Sequence, residues 1–169
     1  MTIQSILALT DFSSHAENSL ERAARIASNH QARLVLMYSA EEPNAKLVDP
    51  LTRLAQRARQ LARRYNIQVT ALTRSGEVPA DVVAQAHHAD LLVLDHRRHR
   101  HWSRFWRNTV LDHLLQRCHC PILVVKTTPS QPYTRVLVSV NLNTAAHALV
   151  RYANGFEATA ELELFHAVT

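Results

Sequence analysis

Glycine is nearly absent from this chain, in which only Gly76 and Gly155 occur among 169 residues. Loops that bind phosphate through backbone N–H groups need closely spaced glycines, because a Cβ obstructs the approach of the ligand. The sequence has no Walker-type loop, no nucleophile elbow and no pair of carboxylates placed for acid–base catalysis. We therefore expect that the chain is not an enzyme.

Cysteine and long apolar segments are also scarce. Cys118 and Cys120 are two positions apart, which suits no disulfide framework and favours a reducing, cytoplasmic setting. The first residues, "MTIQSILALTDFSS", lack the basic region of a signal peptide. No apolar run approaches the roughly 18 residues that span a bilayer. The sequence predicts a cytoplasmic protein without a membrane partner.

The composition is that of a soluble globular protein, with 47% apolar and 20% charged residues. A length of 169 residues allows one domain with a sizeable core, or slightly more. The formal net charge is +5, and much of the basic excess lies in residues 97–107 and in "RLAQRARQLARRY" (53–65). The apolar residues of this second stretch are Leu, Ala and Tyr, so its arginines are interpreted as a solvated helix face.

Short apolar runs alternate with helical patterns along the first three quarters of the chain. Ser14 and Glu17 form a capping-box signal for the first helix, and Pro79 marks the start of a later one. This alternation predicts an open parallel sheet of five strands with helices on both faces. The strand-like runs are 3–10, 32–39, 67–73, 90–95 and 121–127, and a long helical pattern covers 47–65.

The end of the chain resembles its beginning. "RVLVSVNLN" (135–143) repeats "SILALTDFS" (5–13), and "AELELFHA" (160–167) repeats "ARLVLMYS" (32–39). The sequence therefore predicts a domain over 1–127, a linker over 128–133 and a partial second copy over 134–169. Such a short strand–helix–strand unit cannot bury a core alone. A fragment of a tandem protein is favoured over a unit that packs on the first domain or on another subunit.

Three short motifs of the sequence resemble those of the universal stress protein family: "LTDFS" at the end of the first strand, "GEVPADVV" after the third strand and "CPILVVK" at the last strand. The resemblance covers residues 3–127 and restarts at 134. It implies an adenine nucleotide alpha hydrolase-like fold with strand order 3-2-1-4-5. It also implies a homodimer, or intramolecular pairing of two tandem copies, through strand 121–127.

This strand order places the first and fourth strands side by side at a topological switch point, where ligands of open α/β sheets bind. The resemblance assigns Asp11 to the nucleoside, and Thr109 and Val110 to positions near the phosphates. From the residues alone, Asp11 is equally well a helix cap or turn residue. Thr109 is likewise explained as a first-turn residue of its own helix.

ATP-binding members of the family carry G-x-x-G-(nine residues)-G-[ST] after the fourth strand. Here Asp95, Arg98 and Asn108 occupy the three glycine positions, and Thr109 keeps the hydroxyl. A carboxylate in place of the first glycine opposes a polyanion, and the Arg98 side chain would fill space shared by backbone and phosphate. Asn108 is the mildest change, because asparagine tolerates the left-handed region. The resemblance therefore implies a degenerate nucleotide site, with no cofactor expected although ATP remains possible.

Histidines around the same segment raise the possibility of zinc. His96, His99 and His101 lie close together, and neutral imidazoles suit zinc. The interleaved arginines disfavour a dication, and the spacing fits no strong zinc signature. Cys118 and Cys120 flank a histidine, but Cys120 stands where the family commonly has a buried cysteine, so a core thiol is favoured. Metal binding is kept as an alternative only.

Nucleic-acid binding is the other alternative for the His/Arg loop, as we name residues 96–107. Arginine and aromatic side chains stack on bases and contact phosphates. If Ser103 caps a helix, the aromatic residues are explained as side chains that anchor this helix in the core. The arginines would then be exposed to solvent without a ligand. The loop contains five arginines and three aromatic residues: Arg97, Arg98, Arg100, Arg104, Arg107, Trp102, Phe105 and Trp106.

The sequence as a whole predicts a stress-response or regulatory module with a degenerate nucleotide site. It would act through protein contacts and dimerisation with a regulatory partner that the sequence does not name. The alternative within the family is an ATP or AMP sensor that uses the residual crevice. Weak ATP hydrolysis is the most activity expected if nucleotide binds.

Overall fold

The computed structural model describes residues 2–40, 47–73, 79–96, 110–127, 131–140 and 145–166. The chain divides into two compact units, one formed by Ile3–Pro129 and the other built on Ser130–Thr169. No helix among these described residues is long and apolar enough to cross a membrane.

The first unit is an open parallel sheet whose strands lie in the order β3-β2-β1-β4-β5. The predicted α/β class, strand number and strand order are confirmed. Most strands are shorter than the sequence runs suggested, and β3 is reduced to three residues. The elements are β1 (Ser5–Thr10), α1 (Ser14–His30), β2 (Arg33–Tyr38), α2 (Pro50–Tyr65), β3 (Val69–Ala71), α3 (Pro79–Ala86), β4 (Leu91–Asp95), α4 (Val110–Arg117) and β5 (Ile122–Val125).

The core of this unit lies against the central strands. Every residue of β1 and β4 is buried, which explains why their sequences are continuous apolar runs rather than alternating ones. Leu7 and Leu9 of β1 pack in one cluster with Leu92 and Leu94 of β4. Helices α3 and α4 contribute to the same cluster. Helix α1 packs against the strands β1, β4, β2 and β5, whereas α2 packs against β3, β2 and α1.

Helix α1 begins one residue earlier than the capping signal suggested. Its N-cap is Ser13, not Ser14, and the Ser13 side chain accepts a hydrogen bond from the Ala16 N–H. Ser13 has the extended backbone (φ −68°, ψ 161°) that an N-cap needs, whereas Ser14 is already helical. The left-handed positions at the ends of α1 and α2 are filled by Gln31 (φ 53°) and Asn66 (φ 51°).

The amino ends of β1 and β4 are joined by Asp90. One oxygen of its carboxylate accepts the backbone N–H groups of Gln4 at 2.9 Å and Ser5 at 3.0 Å. We expect Asp90→Ala to lower the free energy of unfolding by about 1–3 kcal/mol, because two strand N–H groups lose a charged acceptor. Urea denaturation measures this change. Asp81→Ala, at an exposed carboxylate in the first turn of α3, should cost less than about 0.5 kcal/mol, and equal losses would contradict the assignment.

The second unit contains β6 (Arg135–Ser139), α5 (Ala145–Phe156) and β7 (Glu161–Phe165). Strands β6 and β7 pair in parallel as a two-stranded sheet. Val138, Val140 and Ala153 form its small core. On the other face of this sheet, Leu137 is 66% exposed. This strand–helix–strand order is the one that the repeat predicted, while the proposed domain bounds and the tandem origin stay predictions.

Candidate functional site

The candidate site lies where β1 and β4 separate. Strand β1 pairs with β2 as far as Thr10↔Tyr38, and β4 pairs with β5 as far as Asp95↔Val125. Among the described residues, β1 and β4 pair only from Ile6↔Leu91 to Ala8↔Val93. The two strands therefore part before their carboxyl ends, as expected for the switch point of an open α/β sheet.

Asp11 follows β1 and organises the turn into α1. Its Oδ1 accepts the Ser13 N–H at 2.9 Å, while the Thr10 hydroxyl accepts the Phe12 N–H at 3.0 Å. Asp11 is half-buried and has the turn role that the residues alone suggested. A carboxylate in this position also lies beside the N-terminus of α1, where the helix dipole favours negative charge.

Phe12 is the site residue that the sequence did not single out. Its backbone is left-handed, with φ 62°, a conformation that disfavours a residue with a Cβ. Its ring stacks on Tyr38 with centroids 5.6 Å apart, and the Arg53 guanidinium lies 4.6 Å from its centroid. These two contacts offset the backbone strain. The Arg53–Phe12–Tyr38 stack therefore forms an aromatic wall next to Asp11.

Asp95 ends β4 at the position of the first glycine in the ATP-binding motif. The residue is 5% exposed, and the next N–H along the chain, that of His96, donates to the Val125 carbonyl at 3.0 Å. The main chain is thus held in the sheet register up to His96. A carboxylate side chain occupies the buried carboxyl end of β4, where a glycine would leave room for a ligand.

The remaining predicted phosphate-side residues fall outside the described part of the chain. Arg98, Asn108 and Thr109 lie there, as do His99 and His101 of the zinc alternative. Val110 begins α4 directly after this segment. The described part of the candidate site therefore includes Asp11 and Asp95 but not the side chains of the residues that the resemblance places near the phosphates.

Metal-ligating side chains form no site among the described residues. His96 is exposed, and no group of three or more His, Cys, Asp or Glu side chains among the described residues could hold an ion. His87 and His119 lie ring to ring at 5.0 Å. Cys118 and Cys120 pack against the core as half-buried thiols. Burial raises the pKa of both thiols, so they stay protonated.

A second polar cluster joins α1 to α2 beside the Phe12 ring. Glu21 Oε1 accepts from Arg57 at 2.8 Å and from Arg64 at 3.0 Å, and Glu21 Oε2 accepts from the Tyr65 hydroxyl. Arg57 also lies 2.8 Å from Glu17. Burial alone would raise the pKa of Glu21, but the hydrogen bonds and cations outweigh it and lower that pKa. We name these residues the Glu21 network.

The chain is similar in sequence to one protein family and in fold to several solved structures. A model of the universal stress protein family matches residues 2–126, and no match was found among curated proteins. A universal stress protein from Archaeoglobus fulgidus DSM 4304 is 13% identical with a TM-score of 0.75, over 98% of this chain and 67% of that one. A universal stress protein in complex with cAMP is 20% identical with a TM-score of 0.56, over 76% and 99%. One from Archaeoglobus fulgidus in complex with dAMP is 19% identical with a TM-score of 0.53, over 73% and 98%.

Proposed function

Because this chain belongs to the universal stress protein family, whose model spans residues 2–126, we propose that it is a stress-response regulatory module with a degenerate nucleotide site. It acts through contacts with a regulatory protein rather than through nucleotide binding. The observation that carries this proposal is the buried carboxylate of Asp95 at the carboxyl end of β4. ATP-binding members have glycine there.

Two physical effects weaken nucleotide binding at such a site: the main-chain N–H groups are no longer accessible to phosphate, and Asp95 adds a negative charge. Phosphate oxygens in such sites are bound by main-chain N–H groups that only glycine leaves accessible. A carboxylate about 4 Å from a phosphate oxygen opposes binding by about 1 kcal/mol in water and about 4 kcal/mol at the lower dielectric of a crevice. Arg98 and Asn108 at the other two glycine positions add side chains where the cradle would close.

Dimerisation through β5 is the second part of the proposal. Proteins of this family commonly form homodimers. Strand β5 lies at the end of the five-stranded sheet, and its Ile122, Leu123 and Val124 are only half-buried. An apolar edge strand is a template for pairing with a second strand. The partner strand is β5 of another subunit or its counterpart in a tandem copy.

A nucleotide sensor is the second candidate function, because polar and aromatic groups lie together on the side of the site that the resemblance assigns to a nucleoside. Asp11, the Thr10 hydroxyl and the Phe12 ring lie together at the end of β1. Two structures of similar fold are in complex with cAMP and with dAMP, and a monophosphate demands less of a phosphate cradle than ATP does. A base that stacks on Phe12 would displace Arg53, at a cost of about 0.5–1 kcal/mol.

Thermal unfolding with nucleotide distinguishes the two functions. We expect the midpoint of the wild-type chain to move by less than about 1 °C with ATP and magnesium, or with AMP, at millimolar concentration. A ligand at a hundred times its Kd would instead add about 2.7 kcal/mol and raise the midpoint by several degrees. Such a rise with AMP alone would favour the sensor, and a rise with ATP would make the degenerate site wrong.

Placing glycine at the three motif positions tests whether the present side chains prevent ATP binding. Asp95→Gly/Arg98→Gly/Asn108→Gly should acquire a saturable ATP-dependent rise in the unfolding midpoint, because the backbone N–H groups become accessible and the carboxylate is gone. Glu157→Gln removes one carboxylate outside the β1–β4 site and should leave the midpoint insensitive to ATP. If the triple variant folds, as judged by circular dichroism, and still ignores ATP, these glycine positions are not what prevents binding.

A further inference from the structure

The exposed face of α2 consists of arginine, glutamine and threonine alone. Leu54, Ala58 and Leu61 are buried and fix the opposite face of the helix in the unit. The helix itself contains no acidic residue. The exposed residues recur every three or four positions along its whole length: Thr52, Arg53, Gln56, Arg59, Gln60, Arg63 and Arg64. We name them the α2 basic face.

The acids near this face are engaged at its borders. Glu17 and Glu21 of α1 lie along one border, where they bind Arg57 and Arg64. Asp49 caps the start of the helix, and its carboxylate accepts the Thr52 N–H at 3.0 Å. In the described ranges, neither Arg59 nor Arg63 has an ion-pair or hydrogen-bond partner. These two exposed cations fit the solvated face that the sequence predicted, and they lie at the centre of the face without a described acidic partner.

The described segment that follows α2 carries no charged side chain. Gln68 and β3 (Val69–Ala71) follow the helix, and their described side chains are uncharged. The surface between the basic side chains is a shallow depression of about 560 Å³ lined by Gln56, Arg59, Gln60, Arg63 and Arg64. The chain as a whole is basic, with a pI near 9.8. Among the described residues of α2 and of the segment that follows it, a polyanion therefore meets no acidic side chain.

We propose that the α2 basic face binds the phosphate backbone of double-stranded nucleic acid. Arginine presents a planar fork of donors that matches phosphate oxygens, and glutamine amides also donate to phosphates. Arg59 and Arg63 are one helical turn apart, about 6 Å along the axis, so both reach one backbone strand. The face extends over most of the sixteen residues of α2, about 24 Å.

The residues of the α2 basic face favour a duplex as its ligand over a membrane surface or a single strand. Helices that lie in a membrane surface insert an apolar face, and the apolar side of α2 is buried in the unit. Single-stranded nucleic acid is usually held by stacking on aromatic side chains, and the α2 basic face has none. A duplex offers regularly spaced phosphates and requires neither.

Fluorescence anisotropy with a labelled RNA duplex and a labelled DNA duplex, titrated between low and physiological salt, tests the proposal. The wild-type chain should bind at least one of them with an affinity that falls as salt rises. Arg59→Gln/Arg63→Gln should reduce the slope of log K against log salt by about 2 and weaken binding about tenfold or more. Glutamine already occupies neighbouring positions, so the helix should remain folded.

Two control variants locate the binding. Arg117→Gln/Arg151→Gln removes two exposed arginines from other helices and should leave the salt slope nearly unchanged. Arg59→Lys/Arg63→Lys keeps both charges and should retain the slope. Equal losses from the Arg117/Arg151 pair would show nonspecific charge attraction and overturn the proposal.

The remaining outcomes also decide against the α2 basic face. Arg100→Gln/Arg104→Gln changes the His/Arg loop; if that variant loses binding and Arg59→Gln/Arg63→Gln does not, the loop is the interface. Binding to the single strands but not to the duplexes, or only to vesicles of acidic phospholipid, contradicts the duplex assignment. No salt-dependent binding of any duplex contradicts it as well.

Discussion

Replacing Leu7 with alanine should destabilise the first unit by about 3–5 kcal/mol. Leu7 is 1% exposed in the middle of β1 and packs in one cluster with Leu92 of β4 and with α3 and α4. Helices flank this strand on both sides, so the structure around it has little freedom to fill the cavity that the substitution creates. Urea denaturation followed by circular dichroism measures the change as a lower midpoint with an unchanged slope.

The chain provides its own matched control for this substitution. Leu137 occupies the equivalent place in the repeated strand β6 but is 66% exposed. We expect Leu137→Ala to cost less than about 1 kcal/mol, because little apolar surface is removed from a buried environment. A cost comparable with that of Leu7→Ala would mean that the Leu137 side chain is covered in solution, contrary to its exposure in the structure.

Glu21→Gln should also destabilise the first unit, by about 2–3 kcal/mol of unfolding free energy. The carboxylate is 19% exposed and accepts from Arg57, Arg64 and Tyr65. Hydrogen bonds to a charged group contribute about 1.5–3 kcal/mol each, and they are not additive within one network. Glu17→Gln is the matched control: that carboxylate is 34% exposed and binds Arg57 alone in the described structure, so its loss should cost less than about 1 kcal/mol.

The same network predicts a pH dependence of stability. The pKa of Glu21 is lowered in the folded protein, so its contribution is fully present above the unfolded pKa of about 4.3 and is lost as pH falls through the folded pKa. Burial, and then the hydrogen bond to Glu21, raises the pKa of Tyr65, which keeps the hydroxyl donating at neutral pH. The stability difference between wild type and Glu21→Gln should be constant from about pH 6 to pH 8 and shrink below about pH 4. A difference that grows on acidification would contradict this.

The sequence predicted the sheet well because its signals are local and strong. The fully buried runs of β1 and β4 and the spacing between them predict parallel strands separated by helices, and the family resemblance supplied the strand order. Helix ends were less predictable: two adjacent serines, Ser13 and Ser14, both fit an N-cap, and only the backbone conformation distinguishes them.

The site was only partly predictable for a different reason. Asp11 and Asp95 were identified through the family resemblance, and their roles in nucleotide binding stay predictions. Phe12 was not identified, since no local pattern predicts that a phenylalanine adopts a positive φ. Its contact with Arg53 depends on how α2 packs against α1 and β2, as does the neutralisation of Arg57 and Arg64 by Glu21. The sequence showed a basic helix but not which of its arginines are compensated.

A nucleotide titration followed by amide resonances tests the degenerate site most directly. The backbone N–H signals of residues 11–13 and of Asp95 and His96 report on the two sides of the β1–β4 site. With ATP and magnesium raised to millimolar concentration, we predict that these signals stay in place. Saturable shifts of both groups of amides at micromolar nucleotide would contradict it.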